Sequence, residues 1–90
     1  MAADRLRRAP GSLFRMVGDD LYLTGPHRSS FDVLTGSATA IWRVLEDAPT
    51  LEELVDALAR AHGTRPPAIE AEVGRFVDDL RDRGWVVVAP

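Results

Sequence analysis

Histidine and cysteine, which often act in catalysis or bind metals, are few or absent in this chain, and the histidines lack the spacing of known sites. His27 and His62 are the only two histidines, and neither belongs to an HxxxH or HExxH pattern. The chain contains no cysteine, which excludes disulfides, thiolate nucleophiles and thiolate zinc sites. Because a metal site needs several ligands that converge on one point, the sequence predicts no metal.

A nucleophilic triad could be written from Ser29 or Ser30 with His27 and Asp32. These residues are so close along the chain that a base and its orienting acid could not easily be buried behind the nucleophile. The glycines form neither a GxGxxG nor a Walker pattern. We interpret the paired carboxylates as solvated surface: Asp19-Asp20, Glu52-Glu53 and Asp78-Asp79. The chain is therefore predicted not to be an enzyme by itself and to need no cofactor.

Length and composition favour a single small domain in the cytoplasm. The chain has 90 residues, of which 46% are hydrophobic and 28% charged, with a formal net charge of −3. Such a chain can bury one modest core. Its longest apolar run, Trp85–Ala89, is far shorter than the roughly 18 residues of a membrane span, and no signal-peptide pattern is present.

Three short segments before residue 35 have the two-residue alternation of β-strands. They are Leu13–Val17, Leu21–Thr24 and Ser30–Leu34. In the third segment, Phe31 and Val33 fall on one face and Asp32 on the other, which predicts a half-buried strand. Residues 1–11 lack apolar periodicity, so we expect a loose, flexible N-terminal arm there and a single domain over residues 12–90.

After residue 35 the apolar residues recur every three or four positions, which is typical of amphipathic helices. The three stripes are Ala38, Ile41, Trp42, Leu45; Leu51, Leu54, Val55, Leu58; and Ile69, Val73, Phe76, Leu80. We predict Thr35 as the N-cap of the first helix, a Thr50–Glu53 capping box for the second and Pro66-Pro67 at the start of the third. Trp85–Ala89 is expected to fold back as a short strand or packed tail.

Three strands followed by three helices predict an α+β fold: a three-stranded antiparallel sheet in a winged helix-turn-helix-like arrangement. Winged helices often bind nucleic acid, so a transcriptional protein is an alternative function. The predicted third helix, however, carries five acidic residues against three arginines. Binding to phosphates is driven by neutralising them and releasing their counterions, so this charge balance disfavours nucleic acid.

A binding module for another polypeptide is the remaining interpretation. The third strand is expected at an edge of its sheet, where unpaired N–H and C=O groups can template an added peptide strand. Ser29, Ser30 and Asp32 are polar, which would keep such an edge soluble while its backbone stays available. Side-chain pockets between this strand and the third helix would then give specificity.

Three stretches of the chain together resemble the PqqD-like family. They are FDVLTGSATAIWRVLED from Phe31, PTLEELVDAL from Pro49, and Ile69 through Gly84-Trp-Val86. The family pattern has a strand ending in Leu-Asn, then Ile/Leu-Trp, Thr-x-x-Glu-Leu/Ile, Asp-Val-x-x-Phe-x-x-x-Leu and a closing Gly-Leu. The resemblance extends over about Leu13–Val88, and the order and spacing of the motifs carry it. Thr35 stands where the family often has Asn, and Glu72 replaces the usual Asp.

The resemblance implies the peptide-binding element of pathways that modify ribosomally made peptides, the RiPP recognition element. In such a domain the leader of a precursor peptide adds as a strand beside the third strand, against the third helix. The domain then presents it to a partner such as a radical SAM enzyme or a leader peptidase or cyclase.

The resemblance places the peptide site on one strand and one helix. The strand side is Arg28, Ser29, Ser30, Phe31, Asp32, Val33 and Leu34, and the helix side is Ile69, Glu72, Val73, Phe76, Val77, Asp79, Leu80 and Arg83. Val77 lies on one flank of the helical stripe, and Glu72, Asp79 and Arg83 lie on the other; the sequence does not decide which flank meets the peptide.

A scaffold that binds only its partner protein is a third hypothesis. Exchange of elements between two chains also leaves a homodimer open.

Overall fold

The strands of this chain form two separate antiparallel sheets. The computed structural model describes residues 4–25 and 31–89. Its strands are β1 (Arg5–Arg8), β2 (Leu13–Val17), β3 (Asp20–Thr24), β4 (Asp32–Leu34) and β5 (Val86–Ala89). The three predicted strands are β2, β3 and β4, which pair in that order, whereas β1 pairs with β5.

The three predicted helices are present: α1 (Ser37–Val44), α2 (Leu51–Ala61) and α3 (Pro66–Asp82), with a short 3-10 helix, Leu45–Asp47, after α1. The capping box of α2 is confirmed. The Thr50 hydroxyl accepts from the Glu53 N–H at 3.1 Å, and the Glu53 carboxylate accepts from the Thr50 N–H at 2.9 Å. Pro66 and Pro67 occupy the first turn of α3, as predicted, where a missing N–H removes no helical hydrogen bond.

The start of α1 differs from the prediction. The N-cap is Gly36, not Thr35, and it makes no side-chain capping bond. Gly36 has φ of 57°, a left-handed conformation that glycine adopts without steric cost, so the chain turns one residue later than expected. The hydroxyl of Thr39 donates to the Leu34 carbonyl at 3.2 Å, which ties α1 to the end of β4.

The expectation of a loose N-terminal arm is wrong for Arg5–Arg8, which pairs with Val86–Ala89 as β1. Leu6 is only 6% exposed, and its N–H donates to the Pro49 carbonyl at 2.8 Å. A single apolar residue among arginines shows no periodicity, and its pairing strand lies at the opposite end of the chain. The C-terminal segment forms the short strand β5, one of the two forms expected from its apolar sequence.

One apolar core lies between the three-stranded sheet and the helices. Its most deeply buried large side chains are Trp42, Leu21, Leu23, Ile41, Leu45, Leu54 and Leu80. The predicted helical stripes supply most of this core, as expected from their spacing. Leu51 is an exception at 41% exposed, and Ile69 and Phe76 are only partly buried against the core. The predicted α+β, winged-helix-like fold is confirmed.

Candidate functional site

Strand β4 lies at one edge of its sheet. It pairs with β3 through Leu21↔Leu34, Tyr22↔Val33 and Leu23↔Asp32, and among residues 4–25 and 31–89 no strand pairs with its other side. Alternate residues of an antiparallel strand direct both backbone groups to the same side. Either Val33 alone or Asp32 and Leu34 together therefore offer backbone donors and acceptors to the open edge.

The two faces of this strand alternate as predicted, but the apolar face is the exposed one. Phe31 is 59% exposed and Val33 is 40% exposed, while the Phe31 ring contacts the Tyr22 ring at 5.3 Å between centroids. Leu34 is buried, and Asp32 turns inward with it. The Asp32 carboxylate accepts a hydrogen bond from the Trp85 indole Nε1 at 2.6 Å. This carboxylate therefore has a structural role.

Helix α3 presents two opposite flanks to different parts of the molecule. On one flank, Ile69, Glu72 and Phe76 line a small pocket together with Ser37 and Ile41 of α1. Because a helix turns 100° per residue, the ion pair between Asp79 and Arg83, at 3.2 Å, lies on this same flank. This is the flank beside α1, the helix that directly follows β4.

The other flank of α3 faces the two-stranded sheet. Gly74, Asp78 and Arg81 line a groove there with Leu6 of β1 and Val88 of β5. Val77 also lines this groove but is buried. The two flanks that the sequence left undecided are therefore distinct surfaces, and the flank that carries Glu72 borders α1, the helix that follows β4.

The candidate site combines the open edge of β4 with this flank of α3, and we call this combined surface the β4 groove. Two contacts mark its ends. The Asp32–Trp85 hydrogen bond joins the start of β4 to the segment just after the end of α3. At the other end, Ser37 at the start of α1 shares the apolar pocket with Phe76 of α3. An extended chain laid between these points would have a backbone partner on one side and side-chain contacts on the other.

The predicted site residues divide by burial. Exposed members are Phe31, Val33, Glu72, Asp79 and Arg83; partly buried members are Asp32, Ile69 and Phe76; and buried members are Leu34, Val73, Val77 and Leu80. Arg28, Ser29 and Ser30 lie outside the described residues. The buried four belong to the core, so their substitution would alter folding before it altered binding.

Sequence reasoning missed several residues of this region. Ser37, Ile41, Leu58 and His62 line the pocket with Phe76. Helical spacing assigned two of them, Ile41 and Leu58, to the core, and nothing in that spacing shows which core residues also reach a surface pocket. Trp85 was noted only for its hydrophobicity. Its indole N–H was the usable signal, since a buried tryptophan usually finds a hydrogen-bond acceptor.

Two other features are absent from the described part of the chain. Within residues 4–25 and 31–89, no group of three or more histidine, aspartate or glutamate side chains is arranged to hold a metal ion. In the same residues, none of the helices combines the length and apolar character needed to span a membrane.

The sheet, the helices and the edge groove define a winged-helix-like domain. A solved structure with this fold is TbiB1 in complex with the TbiA(beta) leader peptide. The likeness has a TM-score of 0.78 at 20% sequence identity and covers 89% of this chain and 93% of that one. Residues 23–86 match the sequence model of coenzyme PQQ synthesis protein D (PqqD). The chain belongs to the PqqD family, as the resemblance of its motifs predicted.

Shorter similarities connect the chain to two curated enzymes. It is 37% identical over 57 residues to an enolase of Acidothermus cellulolyticus and 36% identical over 59 residues to an enolase of Mycobacteroides abscessus. The matched stretches span 13% and 14% of those enolases. Similarity to so small a part of an enzyme does not transfer its activity.

Proposed function

We propose that this chain binds the leader region of a ribosomally synthesised precursor peptide and presents it to a modifying enzyme. The leader adds as a strand to the open edge of β4 and packs against the flank of α3 that carries Glu72 and Phe76. The observation that carries the proposal is the open edge of β4, which is followed by α1, the helix that shares a pocket with this flank of α3. Membership of the PqqD family and the fold shared with a leader-peptide complex support it.

Strand addition divides affinity and specificity between two parts of the groove. The backbone of β4 supplies hydrogen bonds that any extended peptide could make. The pocket lined by Ile41, Ile69 and Phe76 selects an apolar side chain, because its walls are mostly hydrocarbon. Glu72 is exposed at the pocket, where its carboxylate favours a basic or hydrogen-bond-donating side chain of the leader.

The chain contributes binding and orientation in this account, without chemistry of its own or a cofactor. A partner in the cytoplasm, such as a radical SAM enzyme or a leader peptidase or cyclase, modifies the held precursor. Binding of duplex DNA is disfavoured because exposed acids such as Glu70, Glu72 and Asp78 lie along α3, and they would repel phosphates.

A pair of charge reversals on one helix tests the proposal. Glu72→Arg changes the flank beside β4, whereas Glu70→Arg changes the opposite flank of the same helix, and both side chains are exposed. The probe is a synthetic peptide of the leader whose gene lies nearest to the gene for this chain. In fluorescence anisotropy titrations we expect Glu72→Arg to weaken binding about fivefold or more and Glu70→Arg to leave it unchanged.

Circular dichroism checks that both variants keep the helical content of the wild type. Asp32→Arg is less suitable as a test of peptide binding, because it would also break the hydrogen bond from Trp85. If the peptide bound wild type and both variants with equal affinity, the placement of the leader on this flank would be wrong. If no leader peptide bound the wild type, the proposed function itself would fail.

A further inference from the structure

A second groove runs along the opposite flank of α3. It begins where Pro66 and Pro67 face Leu51 and Val55 of α2. It continues past Leu51 to Val77 and the two-stranded sheet. We call this surface the acidic trough. From Pro66 to Arg81 it follows α3 for about 22 Å at 1.5 Å per residue, long enough to hold four turns of a helix.

The floor of the acidic trough is apolar and open to solvent. Leu51 is 41% exposed and Val88 is 37% exposed, although the other leucines and the valine of α2 are buried. Pro66 and Pro67 are also exposed. A leucine at the centre of a groove, flanked by apolar neighbours, offers contact area to a partner, and that area is worth about 25 cal/mol per Å² when it is buried.

The rim of the trough is predominantly acidic. Among the described residues that line it, the titratable ones are Asp4, Glu52, Asp56, Glu70 and Asp78, with Arg81 as the one base. In the described residues none of these five carboxylates takes part in an ion pair, since the ion pairs there join Arg5 to Glu53 and Arg83 to Asp79. An apolar floor with an acidic rim is complementary to an amphipathic segment with basic edges.

The acidic trough and the β4 groove lie on different flanks of α3. At 100° per residue, Glu70 points about 160–180° away from Glu72 and Asp79, and Asp78 points about 100–120° away from them. An occupant of one groove therefore does not compete for space with an occupant of the other. A strand held at β4 would leave the acidic trough open to a second polypeptide.

We infer that the acidic trough docks a basic amphipathic segment of the protein that modifies the bound peptide. This inference rests on the proposed function, because it needs a leader at β4 and an enzyme beside it. The leader and the enzyme are held on opposite flanks of one helix, so the helix sets the distance between them. Arginine or lysine side chains of the segment face the rim, and its apolar face covers Leu51.

The chemistry of the trough can be tested with a designed probe. The probe is a fluorescent 16-residue helical peptide, about 24 Å long, with leucine on one face and arginine on the other. One control peptide replaces arginine by glutamate, and a second keeps the composition but scrambles the apolar face. Titrations use the full chain, the double variant Glu52→Arg/Asp78→Arg, the floor variant Leu51→Gln, and Glu72→Arg as the matched control on the other flank.

We expect the arginine probe to bind the wild type and Glu72→Arg alike. The double variant should bind it about tenfold or more weakly, and Leu51→Gln should also weaken it. Amide chemical shifts should change along the trough and not along β4. Equal binding of the scrambled probe would overturn the inference, because it would mean nonspecific attraction between charges. Equal binding by the double variant would overturn it as well, because the acidic rim would then not contribute to holding the probe.

A second arm uses the modifying enzyme encoded nearest to this chain. The double variant should lose affinity for that enzyme while its affinity for the leader peptide stays at the wild-type value. Loss of leader binding in every variant and in the wild type would count against the proposed function. Intact leader binding together with unchanged enzyme binding in the double variant would count against the acidic trough alone.

Discussion

The indole Nε1 of Trp85 donates a hydrogen bond to the carboxylate of Asp32 at 2.6 Å. This bond joins the segment that leaves α3 to the first residue of β4, although the two residues are 53 positions apart in the chain. It fixes one end of the groove between the open strand edge and the helix. The geometry of the proposed peptide site therefore depends on a contact that is itself structural.

Removing this donor should loosen the groove and destabilise the fold. Trp85→Phe keeps an aromatic ring in the core but leaves the Asp32 carboxylate without the indole N–H. A hydrogen bond to a charged group is worth about 1.5–3 kcal/mol, and we expect a loss in this range by urea denaturation. In a double-mutant cycle with Asp32→Ala, which removes the acceptor, additive losses from the two substitutions would contradict a direct coupling.

The N-terminal strand should contribute to stability in the same way as a core element. Leu6→Ala removes a side chain that is only 6% exposed, so the free energy of unfolding should fall by about 2–3 kcal/mol. Leu13→Ala, on a strand of the other sheet and 61% exposed, is the matched control and should change it by less than about 0.5 kcal/mol. Equal, small effects of both substitutions would restore the interpretation of a loose arm.

Arg8 joins β1 to α1 and β2 through two kinds of contact. Its Nε and Nη2 donate to the Trp42 carbonyl at 3.0 and 2.7 Å, and its guanidinium lies over the rings of Phe14 and Trp42, 4.7 and 4.9 Å from their centroids. Burial lowers the pKa of Arg8, partly offset by the charges of Glu46 and Asp47, but the side chain stays charged.

Arg8→Lys keeps the charge but loses the planar fork and most of the stacking. We expect the free energy of unfolding to fall by about 1–2 kcal/mol, as measured in guanidinium chloride. Arg7→Lys is the control because Arg7 is exposed on the neighbouring position of the same strand. An Arg8→Lys variant as stable as Arg7→Lys would show that the charge alone suffices.

The capping box of α2 should make stability depend on pH in the acid range. The hydrogen bond from the Thr50 backbone N–H lowers the pKa of Glu53 below its usual value of 4.5, with further help from the Thr50 hydroxyl and Arg5. A carboxyl with a lowered pKa in the folded state stabilises the protein above the unfolded pKa. That stabilisation is lost as the pH falls through the folded value.

Glu53→Gln should therefore flatten the decline in the urea midpoint below about pH 4.5, relative to wild type. Glu52→Gln is the control, since Glu52 is the adjacent carboxylate and does not close the capping box. If the wild type and Glu53→Gln lost stability in parallel as the solution was acidified, the capping carboxylate would not be the group responsible.

Local signals in the sequence predicted most of the elements. The stripe through Ile41, Trp42 and Leu45 and the Thr50–Glu53 box are short-range patterns, and each has one dominant structural solution. The strand bounds of β2 were predicted to the residue. Gly36 shows the limit at element ends: whether a threonine or the glycine after it caps a helix depends on a backbone angle that the pattern does not contain.

The parts that could not be predicted depend on contacts between distant residues. Leu6 becomes core only because Val86–Ala89 returns beside it. The exposed and buried faces of β4 are the reverse of what side-chain polarity alone suggests. Asp32 faces inward because Trp85 is its hydrogen-bond partner there, while Phe31 contacts Tyr22 on the outer face. The two flanks of α3 could be derived from the helical period, but only tertiary packing shows that one flank borders α1 and the other borders the two-stranded sheet.

The central claim, that a leader peptide adds as a strand to β4, is tested most directly by NMR of the labelled chain with the unlabelled leader peptide. We predict backbone contacts between the peptide and Asp32–Leu34 in the pattern of strand pairing, together with slower amide exchange at the open edge. Contacts of a bound peptide confined to the acidic trough or to the outer face around Tyr22, with amide exchange along β4 unchanged, would contradict it.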